Sequence, residues 1–173
     1  SGRNYGASVM VQKSSGKLTG WMSYTYTKAR RTFNADRMRG SYPASHERPH
    51  ELNMVATYAP WRHFDFGATL VWASGTPFTA PVSVNIINGN IMAKYGRHNA
   101  NRYADYMRLD LSANYKWTSP GGTEHGFNLS VCNATAHKNE LFYRLRISTK
   151  NEYAYRPMYF VLPVLPSVSY YCR

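Results

Sequence analysis

Long apolar runs and helical periodicity are both missing from this sequence. No stretch approaches the roughly 18 consecutive apolar residues that a membrane-spanning helix needs, although 43% of the residues are hydrophobic. The mean hydropathy is −0.51. No segment repeats its apolar residues at helical spacing, and no low-complexity stretch divides the chain. We therefore expect one domain spanning 1–173 and no transmembrane helix.

Acidic residues and cysteines are also scarce. The chain has 9 Asp and Glu against 21 Lys and Arg, and its formal net charge is +12. This balance favours anionic partners, either nucleic acid or the phosphates of a membrane surface. The two cysteines are too few for a disulfide framework or a zinc site. Aromatic residues are abundant, with 15 Tyr, 7 Phe and 4 Trp, and they favour strands over helices.

A strict alternation of apolar and polar residues is the main pattern that the chain does contain. In "MRLDLSANYKW" (107–117) the apolar residues fall on one side of an extended chain and the charged or polar residues on the other. Six further stretches alternate in the same way, some of them weakly. They are "YGASVMVQK", "LTGWMSYTYT", "ELNMVATY", "FDFGATLVW", "GFNLSV" and "LPSVSYYCR". The sequence therefore predicts an all-β protein of about seven strands.

Short and long connections alternate between these strands. The turns "SSG" (14–16), "PWRH" (60–63) and "SPGGTEH" (119–125) are short, whereas long connections at about 32–49, 76–106 and 136–156 separate the other strands. Outer-membrane barrels sort their connections in this way, with short periplasmic turns and long extracellular loops. A soluble sandwich has no reason to do so. We therefore expect an antiparallel transmembrane barrel segment, with the apolar face towards lipid and the polar face towards a wet interior.

This interpretation assigns individual side chains to the two faces. The residues expected to face lipid are Met22, Tyr24, Phe66, Leu70, Met107, Leu109 and Leu111. Those expected to face the interior are Thr25, Asp65, Arg108, Asp110 and Asn114. Aromatic residues near strand ends, Trp61 and Phe64 at one turn and Tyr115 and Trp117 at another, are expected to form an interfacial girdle.

The motifs, taken in order, resemble the C-terminal barrel strands of Bacteroidetes TonB-dependent receptors. The chain contains a tight "GKLTGWMSYT" hairpin, an aromatic-Pro pair (Tyr42-Pro43) before a strand entry "RPHEL", and the strand "RLDLSANY". Asn133 and Asn139 fit a further spaced pair loosely. The resemblance covers essentially the whole chain. It implies a bacterial outer-membrane location and a roughly 22-stranded barrel, of which this chain forms about seven strands.

The same resemblance implies the function and the partners. The full receptor would take up a scarce nutrient with energy transmitted by TonB, and this chain would supply barrel wall and extracellular loops. Neither a plug domain nor an energy-coupling box is recognisable, so we expect the remaining barrel, the plug and the TonB contacts to lie outside this chain. A surface lipoprotein, outer-membrane lipid and lipopolysaccharide are further expected partners. Such receptors end on an aromatic residue, and the outward alternation predicts a Phe after Arg173.

The candidate chemistry of the polar residues is sparse. The six histidines are scattered, and only "SHERPH" places His46 and His50 around Glu47 as a possible weak metal site; a strand-entry motif is the better interpretation. We expect no enzyme activity, no cofactor and no metal. Arginines in the long connections are candidate extracellular contacts for an anionic substrate. The four singled out are Arg37, Arg39, Arg97 and Arg144.

A basic, aromatic-rich nucleic-acid-binding module is the alternative function. The basic residues argue against it because they sit mostly in the connections, where they form no single stripe beside stacking aromatic residues.

The two cysteines provide a separate prediction about register. Cys132 alternates with the inner face and Cys172 with the outer face near a short turn, so they should not reach the roughly 7 Å that a disulfide requires. We expect two free thiols, with Cys172 the more accessible.

Overall fold

The computed structural model describes residues 1–33, 40–87, 90–147, 153–160 and 164–173. Within these ranges every element of regular secondary structure is a β-strand, which confirms the all-β prediction. Their bounds are β1 Gly2–Lys13, β2 Leu18–Phe33, β3 Gly40–Pro43, β4 His50–Trp61, β5 Phe64–Ala73, β6 Pro77–Phe78, β7 Pro81–Ile87, β8 Asn90–Tyr95, β9 Asn101–Arg102, β10 Tyr106–Thr118, β11 Glu124–Cys132, β12 Glu140–Ile147, β13 Tyr153–Tyr159 and β14 Leu165–Cys172.

The main sheet is an antiparallel meander. Its strands follow the order β1-β2-β4-β5-β10-β11-β14, and the short β3 pairs with β2 beside this path. The seven strands of the path are those that the alternation predicts. Because consecutive strands are neighbours, the three short turns lie at one end of the sheet, called here the short-turn end. The long connections leave from the opposite end, called the long-connection end.

The long connections contain strands that the alternation did not predict. The connection between β5 and β10 holds two small antiparallel pairs, β6 with β9 and β7 with β8. The connection between β11 and β14 holds the hairpin of β12 and β13. β2 also extends to Phe33 and pairs with β3 inside the first long connection. The expectation of loops over about 32–49, 76–106 and 136–156 is therefore wrong in detail, because pairs of short strands occupy much of them.

The edges of the main sheet are open within the described residues. There, β1 pairs only with β2, and β14 pairs only with β11. Each edge strand therefore presents unpaired backbone N–H and C=O groups along one side. The described part of the chain also contains no helix long and apolar enough to cross a membrane.

Candidate functional site

One face of the main sheet is apolar across all seven strands. Directly paired residues of antiparallel strands lie on the same face, so the register can be followed from strand to strand: Val11 opposes Met22, Met22 opposes Met54, and Met54 opposes Leu70. All seven residues expected to face lipid lie on this apolar face. Its members are Ala7, Val9, Val11, Met22, Tyr24, Leu52, Met54, Ala56, Tyr58, Phe64, Phe66, Ala68, Leu70, Trp72, Met107, Leu109, Leu111, Ala113, Tyr115, Trp117, Phe127, Leu129, Val131, Val168 and Tyr170.

The apolar face is not covered by another layer of the described chain. Leu129 keeps 53% and Val168 70% of its surface exposed. The whole chain exposes 12464 Å², against about 8,600 Å² expected for a compact monomer of its mass. Among the described residues, the only buried hydrophobic ones are Ala29, Tyr42, Ala44 and Ala73. Within the described residues, the sheet therefore has no hydrophobic core of the kind that stabilises a soluble sandwich.

Aromatic rings form a row across the apolar face at the short-turn end. Trp61 meets Phe64 with ring centroids 6.2 Å apart, and Phe64 meets Tyr115 at 4.6 Å. Trp117 continues the row to Phe127 at 5.8 Å. These separations are those of favourable aromatic pairs. The four residues predicted for a girdle are therefore neighbours, although their sequence positions are up to 56 residues apart.

A second aromatic group lies on the same face near the long-connection end. The Tyr24 hydroxyl is 2.7 Å from His50 Nδ1, and the His50 ring is 5.4 Å from that of Tyr26. The apolar residues of the face lie between this group and the row at the short-turn end. Aromatic residues with polar tips thus border the apolar band on both sides, as in membrane-interface belts.

The opposite face carries a network of polar side chains. Asn114 donates to Asp65 Oδ2 at 2.6 Å, Asn128 donates to the Asn114 side-chain oxygen, and Lys116 Nζ lies 3.9 Å from Asp65. These residues come from three neighbouring strands. Arg108 and Asp110 pair on the same face at 2.6 Å. All five residues expected to face the interior, including Thr25, lie on this polar face.

An ion pair with a buried carboxylate ties the first two long connections to the main sheet. Glu47, only 3% exposed, accepts the backbone N–H of Ala29 at 3.0 Å and pairs with Arg102. Arg102 also donates to the backbone carbonyl of Gly75 at 3.0 Å. Sequence reasoning missed this role of Glu47 because its partner is 55 residues away. The sequence indicates Glu47 only as part of a possible weak metal site with His46 and His50. In the structure His50 contacts Tyr24.

Two asparagines hold the connection that follows β11. Asn139 accepts the N–H of Met107 and donates to its C=O, both at 2.9 Å, and so imitates a neighbouring strand. The backbone N–H of Asn133 donates to Asp110 at 2.8 Å, and the Asn133 side chain donates to the backbone carbonyl of His137. Both are buried. The spaced asparagines noted in the sequence therefore satisfy backbone groups where β11 stops pairing with β10.

An aromatic stack joins the second and third long connections. Phe78 and Tyr103 meet at 4.5 Å, Phe78 and Tyr143 at 5.0 Å, and Tyr143 and Tyr155 at 5.3 Å. The Tyr143 hydroxyl donates to Glu140. Burial first, and then this hydrogen bond, raise the pKa of Tyr143 above its usual value. The stack packs the hairpin of β12 and β13 against the strands of the second connection.

Two of the four candidate loop arginines lie within the described residues. Arg97 is exposed just after β8, and Arg144 is exposed on β12. Arg37 and Arg39 lie outside the described residues.

The structure confirms two free cysteines, with Cys172 exposed and Cys132 less so. Cys132 opposes Leu165 and Cys172 opposes His125, so the thiols stand at opposite ends of the β11–β14 ladder and on opposite faces.

Within the described ranges, no group of three His, Cys, Asp or Glu side chains is placed to hold a metal ion. The comparisons with known proteins give no relative. The chain matches no protein-family model, and neither a curated protein nor a solved structure matches it.

Proposed function

We propose that this chain is a barrel segment of a TonB-dependent receptor in a bacterial outer membrane, and that it forms wall and extracellular loops. The observation that carries the proposal is the distribution of side chains over the main sheet. An exposed apolar face bordered by aromatic residues is suited to lipid, and the hydrogen-bonded polar face is suited to a hydrated interior. A soluble protein with this sheet would leave its largest apolar surface in water.

The two open edges support a larger barrel. Inside a bilayer each unpaired backbone group costs several kcal/mol, so spanning sheets must be closed. Seven strands are too few to enclose the plugged lumen of a roughly 22-stranded transporter. We therefore propose that β1 and β14 pair with further strands of the receptor, and that the polar face lines the space taken by its plug.

The long-connection end would be extracellular. Its ordered strands and its ties through Glu47 and Asn139 make it a structured layer in which a nutrient could be recognised. Arg97 and Arg144 are exposed there and suit an anionic group on such a nutrient. Energy coupling through TonB, nutrient uptake and contact with a surface lipoprotein belong to the proposal through the resemblance alone.

The polar face also bears on the nucleic-acid alternative. Its four strand carboxylates, Glu51, Asp65, Asp110 and Glu124, alternate with the cations of that face instead of leaving a basic stripe. Binding along the phosphate backbone of a nucleic acid needs a continuous basic patch or stripe. Salt-dependent binding of RNA by the purified chain, with no requirement for detergent, would favour this alternative.

Cysteine labelling tests the assignment of the two faces. In a background with Cys132→Ser and Cys172→Ser, we compare Leu111→Cys on the apolar face with Ser112→Cys on the polar face. In outer-membrane preparations a lipid-phase thiol reagent should label position 111, and a small water-soluble maleimide should label position 112. Equal reaction of both with the water-soluble reagent would contradict a lipid-facing sheet.

Energy-dependent uptake of one nutrient, lost when the gene is deleted, would then test transport.

A further inference from the structure

Three cations lie together on the apolar face at its long-connection end. β1 and β2 pair without a register shift, and Tyr5 opposes Lys28 while Arg3 opposes Arg30. These pairs have the same parity as Val9 with Tyr24, so their side chains share the apolar face. Arg3 and Arg30 are exposed and Lys28 is half-buried. We call Arg3, Lys28 and Arg30 the rim cluster.

The positive charge of the rim cluster is not neutralised by the described protein. Like charges directly opposite each other on a ladder are destabilising, yet Arg3 and Arg30 face each other. The carboxylates on the strands of the main sheet, Glu51, Asp65, Asp110 and Glu124, all lie on the polar face. Within the described ranges the salt bridges are Arg102–Glu47, Arg108–Asp110, Lys116–Asp65 and Arg173–Glu124, and none includes a rim-cluster residue. An anion from outside the described chain would complete the cluster.

The spacing of cations along β1 matches the thickness of a membrane. On the apolar face, β1 carries Lys13 at the short-turn end and Arg3 at the other, with Tyr5, Ala7, Val9 and Val11 between them. Ten residues at about 3.4 Å each give roughly 34 Å along the strand. At a tilt of about 40° this is roughly 26 Å along the membrane normal, close to the apolar band of about 25 Å in such barrels. The two cationic ends therefore fall at the two headgroup levels.

We propose that the rim cluster binds the phosphate groups of an outer-leaflet lipid, a phosphorylated glycolipid. Guanidinium groups bind phosphate oxygens in pairs of parallel hydrogen bonds, and two facing arginines with a lysine suit a doubly charged phosphate. The exposed Tyr5 and Val9 lie just below and would contact the acyl chains. A soluble phosphate ester shares the phosphate chemistry but not this apolar contact. The inference rests on the proposed membrane location.

The test compares two matched arginine pairs in the detergent-purified protein. Arg3→Gln with Arg30→Gln removes two charges from the rim cluster. Arg62→Gln with Arg156→Gln removes the same charge from two exposed arginines outside the rim cluster and is called the control variant. Native mass spectrometry measures binding of bisphosphorylated lipid A, of the same lipid without phosphates, and of inorganic phosphate.

We expect the rim variant to bind bisphosphorylated lipid A at least tenfold more weakly than the wild type, and the control variant to bind it unchanged. The dephosphorylated lipid should bind both variants equally and weakly. Equal loss in both variants, or none in the rim variant, would overturn the site. Inorganic phosphate binding at the rim without lipid A binding would overturn the lipid assignment. Lys28→Gln is a second, milder variant, with a smaller loss expected, should the double variant fail to fold.

Failure of this inference is distinguishable from failure of the proposed function. One outcome is that positions 111 and 112 label as expected for lipid and water while the rim variant binds lipid A as tightly as the wild type. In that case only the lipid site is wrong. If those positions label alike, the membrane location itself is wrong.

Discussion

At the scale of the residue, the side of the sheet on which an introduced charge lies should decide how much it lowers the free energy of unfolding. Leu111 is in the middle of the apolar face and 43% exposed. Leu111→Arg should destabilise the protein in lipid vesicles by about 2–4 kcal/mol, since a cation near the bilayer midplane loses its hydration. Urea unfolding followed by tryptophan fluorescence measures this change in the free energy of unfolding.

The matched control for Leu111→Arg is Thr57→Arg. Thr57 lies on the polar face, one step along the sheet from the row of Leu111, and is exposed. This arginine should cost less than about 1 kcal/mol because its charge remains hydrated. If Thr57→Arg proves the more damaging of the two, lipid contacts the other face.

Residue-scale prediction from the sequence succeeded for faces and failed for long-range partners. Alternation alone placed Met22, Phe66 and Leu111 correctly on one face, because a strand turns successive side chains to opposite sides. The burial of Glu47 could not be predicted, since it depends on Arg102 and Ala29 arriving from other elements. Tertiary partners of a single polar residue leave no local pattern.

At the scale of the element, the pairing of β2 with β4 depends on Gly20. Its φ is +152°, and an added Cβ would overlap the Val55 carbonyl oxygen. Gly20→Ala should therefore push the two strands apart and cost at least about 1–3 kcal/mol from the backbone conformation alone. The yield of folded protein and the urea midpoint measure the effect.

Gly121→Ala is the control for this element. Gly121 lies in the short turn between β10 and β11, its φ is not positive, and an added Cβ would meet only Ser119 Oγ at 4.0 Å. This substitution should change the free energy of unfolding by less than about 0.5 kcal/mol. If Gly20→Ala is tolerated equally well, the close approach of β2 and β4 at this point is not needed.

Some of the elements that the sequence failed to predict are too short to show a period. β6 and β9 have two residues each, too few to show any alternation, and they exist because the connection folds back on itself. β12 does alternate in "LFYRLRI", but it lies within a long polar stretch, and such a stretch predicts a loop. The seven strands of the main sheet were predictable because each has one polar and one apolar face.

At the scale of the whole molecule, the proposed membrane location would account for both the large exposed area and the open edges. The exposed area of 12464 Å² exceeds that of a compact monomer of this size by about two fifths. A bilayer would cover the apolar face, and neighbouring strands would cover β1 and β14. The chain's stability should thus depend on a membrane and on strands paired with its edges, since its own interior buries so few side chains.

Hydrogen exchange tests the pairing of the edges. Successive backbone N–H groups of a strand point to opposite sides, so about half of those in β1 point away from β2, and about half of those in β14 point away from β11. In the membrane-embedded protein we expect all amides of both edge strands to exchange as slowly as those of β5, which has a partner on each side. The measurement is residue-resolved deuterium uptake in native membranes. A pattern of fast and slow amides alternating along β1 or β14 would mean that the sheet ends there, and that this chain does not continue into a larger barrel.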